Sequence, residues 1–388
     1  MKPKPHNHPS SPHKPMFLLM GVWATLVPWV WLWPGLIKDP AFWHAHELIF
    51  GMAGAALGGY LLIALPSWTG PNRAHRIGRL PLFLLVLAWG LGRGSMLIEA
   101  QGVALLICAS LYPLGLAGLV LLPLWRVRRW QKLPFAVVPV VLAVADVTWL
   151  AIRWRGLSDA PFGPAVVLGF AVLLSVVGGR AVPAFLNSRF QATGAIVLPL
   201  RTLGAQASGL IMLSIVLLIA QRPHLAGAAM MASGVMQSIR LIVWGRRALF
   251  AHLDLMMLYL AWAWLGIGLM LLGTTLLMPA VFTLATMLHA LTIGAMGSMI
   301  MAVAGRAFMA RAPGRLRASP THVTAFAMIS TAAVLRLVIP DAVVMGLVGL
   351  QWSILVWSLG WGLFMLPVLR SLARPSPHPV LSAVRAQT

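Results

Sequence analysis

Residues 44–65 read HAHELIFGMAGAALGGYLLIAL. Two histidines and a glutamate open the run, and nothing from residue 48 to residue 65 is charged. An α-helix rises about 1.5 Å per residue, so about 20 apolar residues carry it across the hydrocarbon of a bilayer. The run is therefore read as a membrane span over 45–65 that begins with three ionisable side chains. The alternation of apolar and polar residues that a membrane β-barrel needs is absent.

The rest of the chain has the same character. Of 388 residues, 60% are hydrophobic and 9% are charged; soluble domains carry about 25% charged residues. Mean hydropathy is +0.88. The expected fold is an all-α integral membrane protein of about twelve helices. Hydropathy places them near 16–37, 45–65, 80–98, 102–124, 135–152, 163–185, 202–220, 224–245, 253–275, 280–304, 321–339 and 342–369. The expected organisation is one polytopic membrane domain over 16–370. Residues 1–15, rich in Pro, Lys and His, and residues 371–388 are read as disordered tails.

A net charge of +22 would suggest nucleic acid in a soluble protein. Here the basic residues sit in short clusters between apolar runs, so they are read as topology signals and nucleic acid is set aside. Arg73, Arg76 and Arg79, Arg126, Arg128, Arg129 and Lys132, and Arg306, Arg311, Arg315 and Arg317 all fall on one side. The other side holds Lys38, Arg153, Arg155 and Arg222. This bias predicts an even number of spans with both termini cytoplasmic. Trp29, Trp31, Trp33 and Trp43 gather near the outer end of the first span, as an interfacial belt. The single cysteine, Cys108, excludes an intrachain disulfide.

Ionisable groups within spans mark function by default. Only seven acids are present, which argues against a carboxylate-lined ion pathway. His44, His46 and Glu47 stand at the outer end of the second span. His289 stands in the outer half of the tenth, at about the same depth. Neutral imidazole ligates transition metals and haem iron, so His44, His46 and His289 are candidate metal ligands. At 100° per residue, one face of the second span carries His44, Glu47, Gly51, Ala55 and Gly58, and His46 points about 200° away. Small residues on such a face serve close helix packing or admit a flat macrocycle. The pattern His-x4-Gly-x2-Gly occurs twice, over 46–54 and 289–297. Arg93, in WGLGRGSM, lies on the side where topology does not call for a cation, which makes it a candidate partner for an anionic group.

Three stretches carry a family resemblance: residues 44–70 (HAHELIFGMAGAALGGYLLIALPSWTG), 178–185 (GGRAVPAF) and 289–307 (HALTIGAMGSMIMAVAGRA). They resemble the NnrS family of bacterial membrane proteins. The resemblance implies an inner-membrane protein with b-type haem and copper, tied to nitric oxide stress or denitrification. It implies haem between the second and tenth helices, held by His289 and by one or both of His44 and His46. Glu47 would orient an imidazole, and Gly51 and Arg93 would attend the macrocycle. A diatomic ligand such as nitric oxide is the implied partner, alongside the bilayer, and the electron donor is unknown.

The chain departs from the family pattern at Arg311 and Tyr259, where histidines are expected. That puts copper in doubt. Helix count and histidine placement are distantly like the main subunit of haem–copper oxidases, but spans five to seven lack histidine, which disfavours an oxidase. The alternative function is a transporter or a metal or haem assembly factor without redox activity.

Overall fold

The computed structural model describes residues 11–70, 77–190, 197–280, 283–312, 315–374, 376 and 380–382. Residues 1–10, with His6 and His8, and Arg73, Arg76 and His75 lie outside the described residues.

Twelve described helices are long and apolar enough to cross a membrane. They are α1 His13–Leu32, α2 Pro40–Thr69, α3 Arg79–Leu97, α4 Gly102–Arg126, α5 Trp130–Trp154 and α6 Phe162–Phe190. Then follow α7 Arg201–Ile219, α8 Pro223–Trp244, α9 Leu253–Leu277, α10 Leu284–Gly305, α11 Pro320–Val338 and α12 Gly349–Ser371. Among the described residues, strand is confined to two antiparallel pairs: β1 Ala310–Ala312 with β2 Arg315–Arg317, and β3 Val343–Val344 with β4 Leu347–Val348. The second turns on Met345 and Gly346, both at positive φ, as a two-residue hairpin requires.

The chain forms two compact units. The first holds α1 to α5 and the end of α12; the second holds α6 to α11 and most of α12. α1 starts earlier than hydropathy suggested. His13 and Lys14, assigned to a tail, are buried in its first turn. Lys14 Nζ donates to the carbonyl of Ser371 at 2.7 Å and to that of Arg374, which ties down the chain after α12.

In the first unit α2 is the centre: 78% of its apolar window is buried, against 33% for α3. Hydropathy cannot separate lipid-facing from protein-facing surface, because both are apolar. The glycines do. A Cβ on Gly59 would lie 2.3 Å from the Phe17 ring, and one on Gly58 would lie 2.3 Å from Tyr112 Oη. One on Gly51 would lie 2.7 Å from the Trp23 indole. The small face of α2 is thus a set of seats for aromatic side chains of α1 and α4. Residues 47–53 form a π-helical turn. Such turns perturb the regular backbone ladder and recur at functional sites. Side chains donate to carbonyls in it and at its end: Trp89 Nε1 to Gly51 at 3.0 Å, and Tyr112 Oη to Gly54 at 2.8 Å.

In the second unit α8 and α9 cross backbone to backbone. A Cβ on Gly227 would lie 2.8 Å from the Gly273 carbonyl, and one on Gly234 would lie 2.9 Å from that of Gly266. Each pair is spaced by seven residues on its own helix, and small residues at such spacing let membrane helices approach. α6 and α10 also carry π-helical turns, over 174–178 and 290–297. On α10, Gly294 seats Trp264 and Gly297 seats Trp357.

Candidate functional site

The first unit encloses a four-residue ion cluster. Glu47 Oε1 accepts from Arg93 Nη1 at 2.6 Å, and Glu47 Oε2 accepts from Trp23 Nε1 at 2.7 Å. His46 Nδ1 lies 3.0 Å from Glu47 Oε1, and His46 Nε2 lies 2.8 Å from Asp146 Oδ1. All four ionisable residues are at least 95% buried. Phe42, Phe50 and Trp149 pack around the imidazole, with centroids 5.5, 4.9 and 6.4 Å from it. Four helices, α1, α2, α3 and α5, contribute.

Burying one charge without a partner is far costlier than burying a balanced set. Glu47 and Asp146 supply two negative charges and Arg93 one positive. An imidazole facing carboxylate oxygens at both nitrogens brings the set to neutrality when it carries both protons. In that state His46 has no lone pair for a metal.

These contacts depart from the helical wheel. The wheel put Glu47 on the face of His44, with His46 opposite. The structure puts Glu47 with His46, Trp23 and Arg93, and a π-helical turn begins at Glu47. His44 is half-buried, and its ring meets Trp31 edge-on at 5.8 Å. Gly51 faces Trp23, with Arg93 Cδ next to it. Asp146 is the member that sequence reasoning passed over. Its signal was present: an acid inside the apolar run 135–152. The acids are few, yet Glu47, Asp146 and Asp254 are all buried.

Beside this cluster a cavity of about 290 Å³ is lined by Phe42, Trp43, Met96 and Leu150, with Lys38, Asp39, Glu99 and Arg153 among its polar groups. Arg153 bonds Asp39 and Asp159 and lies over the Phe42 ring at 4.2 Å. Burial raises the Asp159 carboxyl, but donors from Trp149 and Arg153 outweigh it and hold the group below its usual range. The Lys38 backbone N–H and side chain lower Glu99. With Lys38 84% exposed, that pair adds little to stability.

In the second unit His289 closes the first segment of α10, just before the π-helical turn. Its Nδ1 donates to the Ala285 carbonyl at 2.7 Å. That bond fixes the tautomer and leaves the lone pair on Nε2, the way ligating histidines are commonly oriented. Arg336 Nη1 donates to Thr286 Oγ1 at 3.3 Å. Thr286 is three residues before His289 and so shares its face. Arg306 pairs with the buried Asp254 at 3.0 Å and lies over Phe185 at 4.2 Å. Tyr259 Oη packs at Gly245, and Arg311 Nη1 donates to the Ser382 carbonyl at 2.9 Å. Among the described residues, no three or more His, Cys, Asp or Glu side chains are grouped to hold a metal ion.

Twelve apolar helices with charge clusters buried among them define a multi-pass helical membrane protein. A family model described as NnrS protein matches residues 9–376, and the chain belongs to the NnrS family. No curated protein matches it.

Proposed function

We propose that this chain is a haem-binding protein of the bacterial inner membrane that serves nitric oxide defence or nitrogen-oxide respiration. The observation that supports it most is His289, whose Nδ1–H is committed to the Ala285 carbonyl while Nε2 keeps its lone pair. Membership of the NnrS family supports a role tied to nitric oxide.

The residues at hand fit a haem unequally. His289 suits an axial ligand. In the first unit His44 suits one better than His46, which spends both nitrogens on carboxylates. Gly51 seats Trp23 and Arg93 is bonded to Glu47, so these residues and Glu47 would act on a cofactor only by fixing α2. A b-type haem held by such residues would supply an iron able to bind a diatomic ligand or to pass electrons.

The test is the absorption spectrum of protein purified in detergent after haem-replete expression. A Soret band that shifts on adding nitric oxide is expected. Protein without a Soret band would sink the reading.

A further inference from the structure

Arg240 is a buried cation without a buried anion. It lies on α8 and is 2% exposed. Its Nη1 donates to Gln237 Oε1 at 2.9 Å and its Nη2 to the Gly179 carbonyl at 3.1 Å, while Nε has no partner. The indoles of Trp244 and Trp262 flank the guanidinium at 4.9 and 4.8 Å. Glycine makes room for it: a Cβ on Gly179 would sit 2.2 Å from Nη2, and one on Gly204 would sit 3.0 Å from Cζ. Six of the seven acids pair elsewhere: Asp39 and Asp159 with Arg153, Glu47 with Arg93, Glu99 with Lys38, Asp146 with His46 and Asp254 with Arg306. The seventh, Asp341, acts on Arg336. Buried charges are ordinarily paired, so the counter-ion of Arg240 is to be sought outside the chain.

A place for it exists. Arg240 lines a cavity of about 630 Å³ together with Arg180, Arg201, Asn187, Ser175 and Ser208. Arg180 and Arg201 are exposed. Ser175 and Ser208 are bonded to each other at 2.7 Å, and Gln237 Nε2 donates to Ser175 at 2.6 Å. The first turn of α7 also borders the cavity and carries no side-chain cap; unpaired N–H groups at a helix start attract anions. Three guanidiniums and no carboxylate describe an anion site. The volume lies within the range of small-ligand sites, well above that of a bare inorganic ion.

We propose that this cavity of the second unit binds a phosphate group, carried by a phospholipid head or by a free phosphate compound. Arg240 forms its floor, and Arg180 and Arg201 stand at its mouth. Arginine suits this because its planar donor fork matches phosphate oxygens.

Native mass spectrometry of the detergent-purified full chain tests it. The probes are dihexanoyl phosphatidylglycerol and inorganic pyrophosphate, titrated separately. A saturable adduct is expected in the unaltered protein and in the control Arg126→Gln. At least tenfold weaker binding is expected in the double variant Arg180→Gln with Arg201→Gln, whose exposed sites leave the core intact. An adduct with the lipid alone assigns the phosphate to the membrane, and one with both probes assigns it to solution. No adduct with either probe, or equal adducts in the unaltered protein and the double variant, would overturn the proposal.

Discussion

His46 and His289 begin the same short pattern, and each is followed at once by a π-helical turn. In each, the first glycine of the pattern seats a tryptophan, Trp23 at Gly51 and Trp264 at Gly294. There the likeness ends. His46 is fully buried, with a carboxylate at each nitrogen. His289 is half-buried and bonds a backbone carbonyl at Nδ1, and none of the acids pairs with it. The shared pattern thus coincides with a π-helical turn and a glycine seat in both helices. Groups brought from other helices set the chemistry of the imidazole. Asp146 and Arg93 turn one histidine into part of an ion cluster, and their lack leaves the other a free nitrogen.

The comparison breaks most readily at the cluster. Glu47→Leu strands Arg93 and His46 in an apolar interior and is expected to cost about 3–5 kcal/mol, read as lost folded yield and a lower melting temperature in detergent. In haem-free protein His289→Leu removes no ion pair and is expected to cost less, about 1 kcal/mol for the lost hydrogen bond. Equal losses would mean that the two histidines are alike after all. Next come the seats: Gly51→Ala and Gly294→Ala each drive a methyl group into an indole and are expected to cost about 1–3 kcal/mol by overpacking. A neutral result at one position alone would show that its tryptophan can swing aside.

His252 gives the smallest effect and a useful third case, since its named partner is a cation, with Arg189 Nε donating to His252 Nε2 at 3.3 Å. Burial and then the Arg189 charge lower its pKa from 6.5. The unfolded chain therefore binds the extra proton more readily. The contribution to stability is complete above pH 6.5 and declines as pH falls toward the folded value. Melting temperature followed from pH 8 to pH 5.5 is expected to fall less in His252→Gln than in the unaltered chain.

The twelve spans were legible because length and composition alone tell a helix that it can cross lipid. Their contacts were not. Gly51, Gly58 and Gly59 announce close approach, but which ring fills each seat depends on helices more than 20 residues away. The partnership of Glu47 with His46 was hidden because a helical wheel sets neighbours about 100° apart and gives direction, not side-chain reach. Asp146 stood out as an acid in an apolar run, yet its partner lies 100 positions earlier in the chain. Arg240 was concealed in the same way: only packing shows that every acid is engaged elsewhere.

The central claim is that one pattern yields an ion-paired histidine at 46 and a ligand at 289. Absorption spectra of haem-replete His46→Gln and His289→Gln, purified side by side, test it most directly. The expected result is a Soret band kept at its wavelength in His46→Gln and lost or displaced in His289→Gln. A band unchanged in His289→Gln but lost from folded His46→Gln would contradict it.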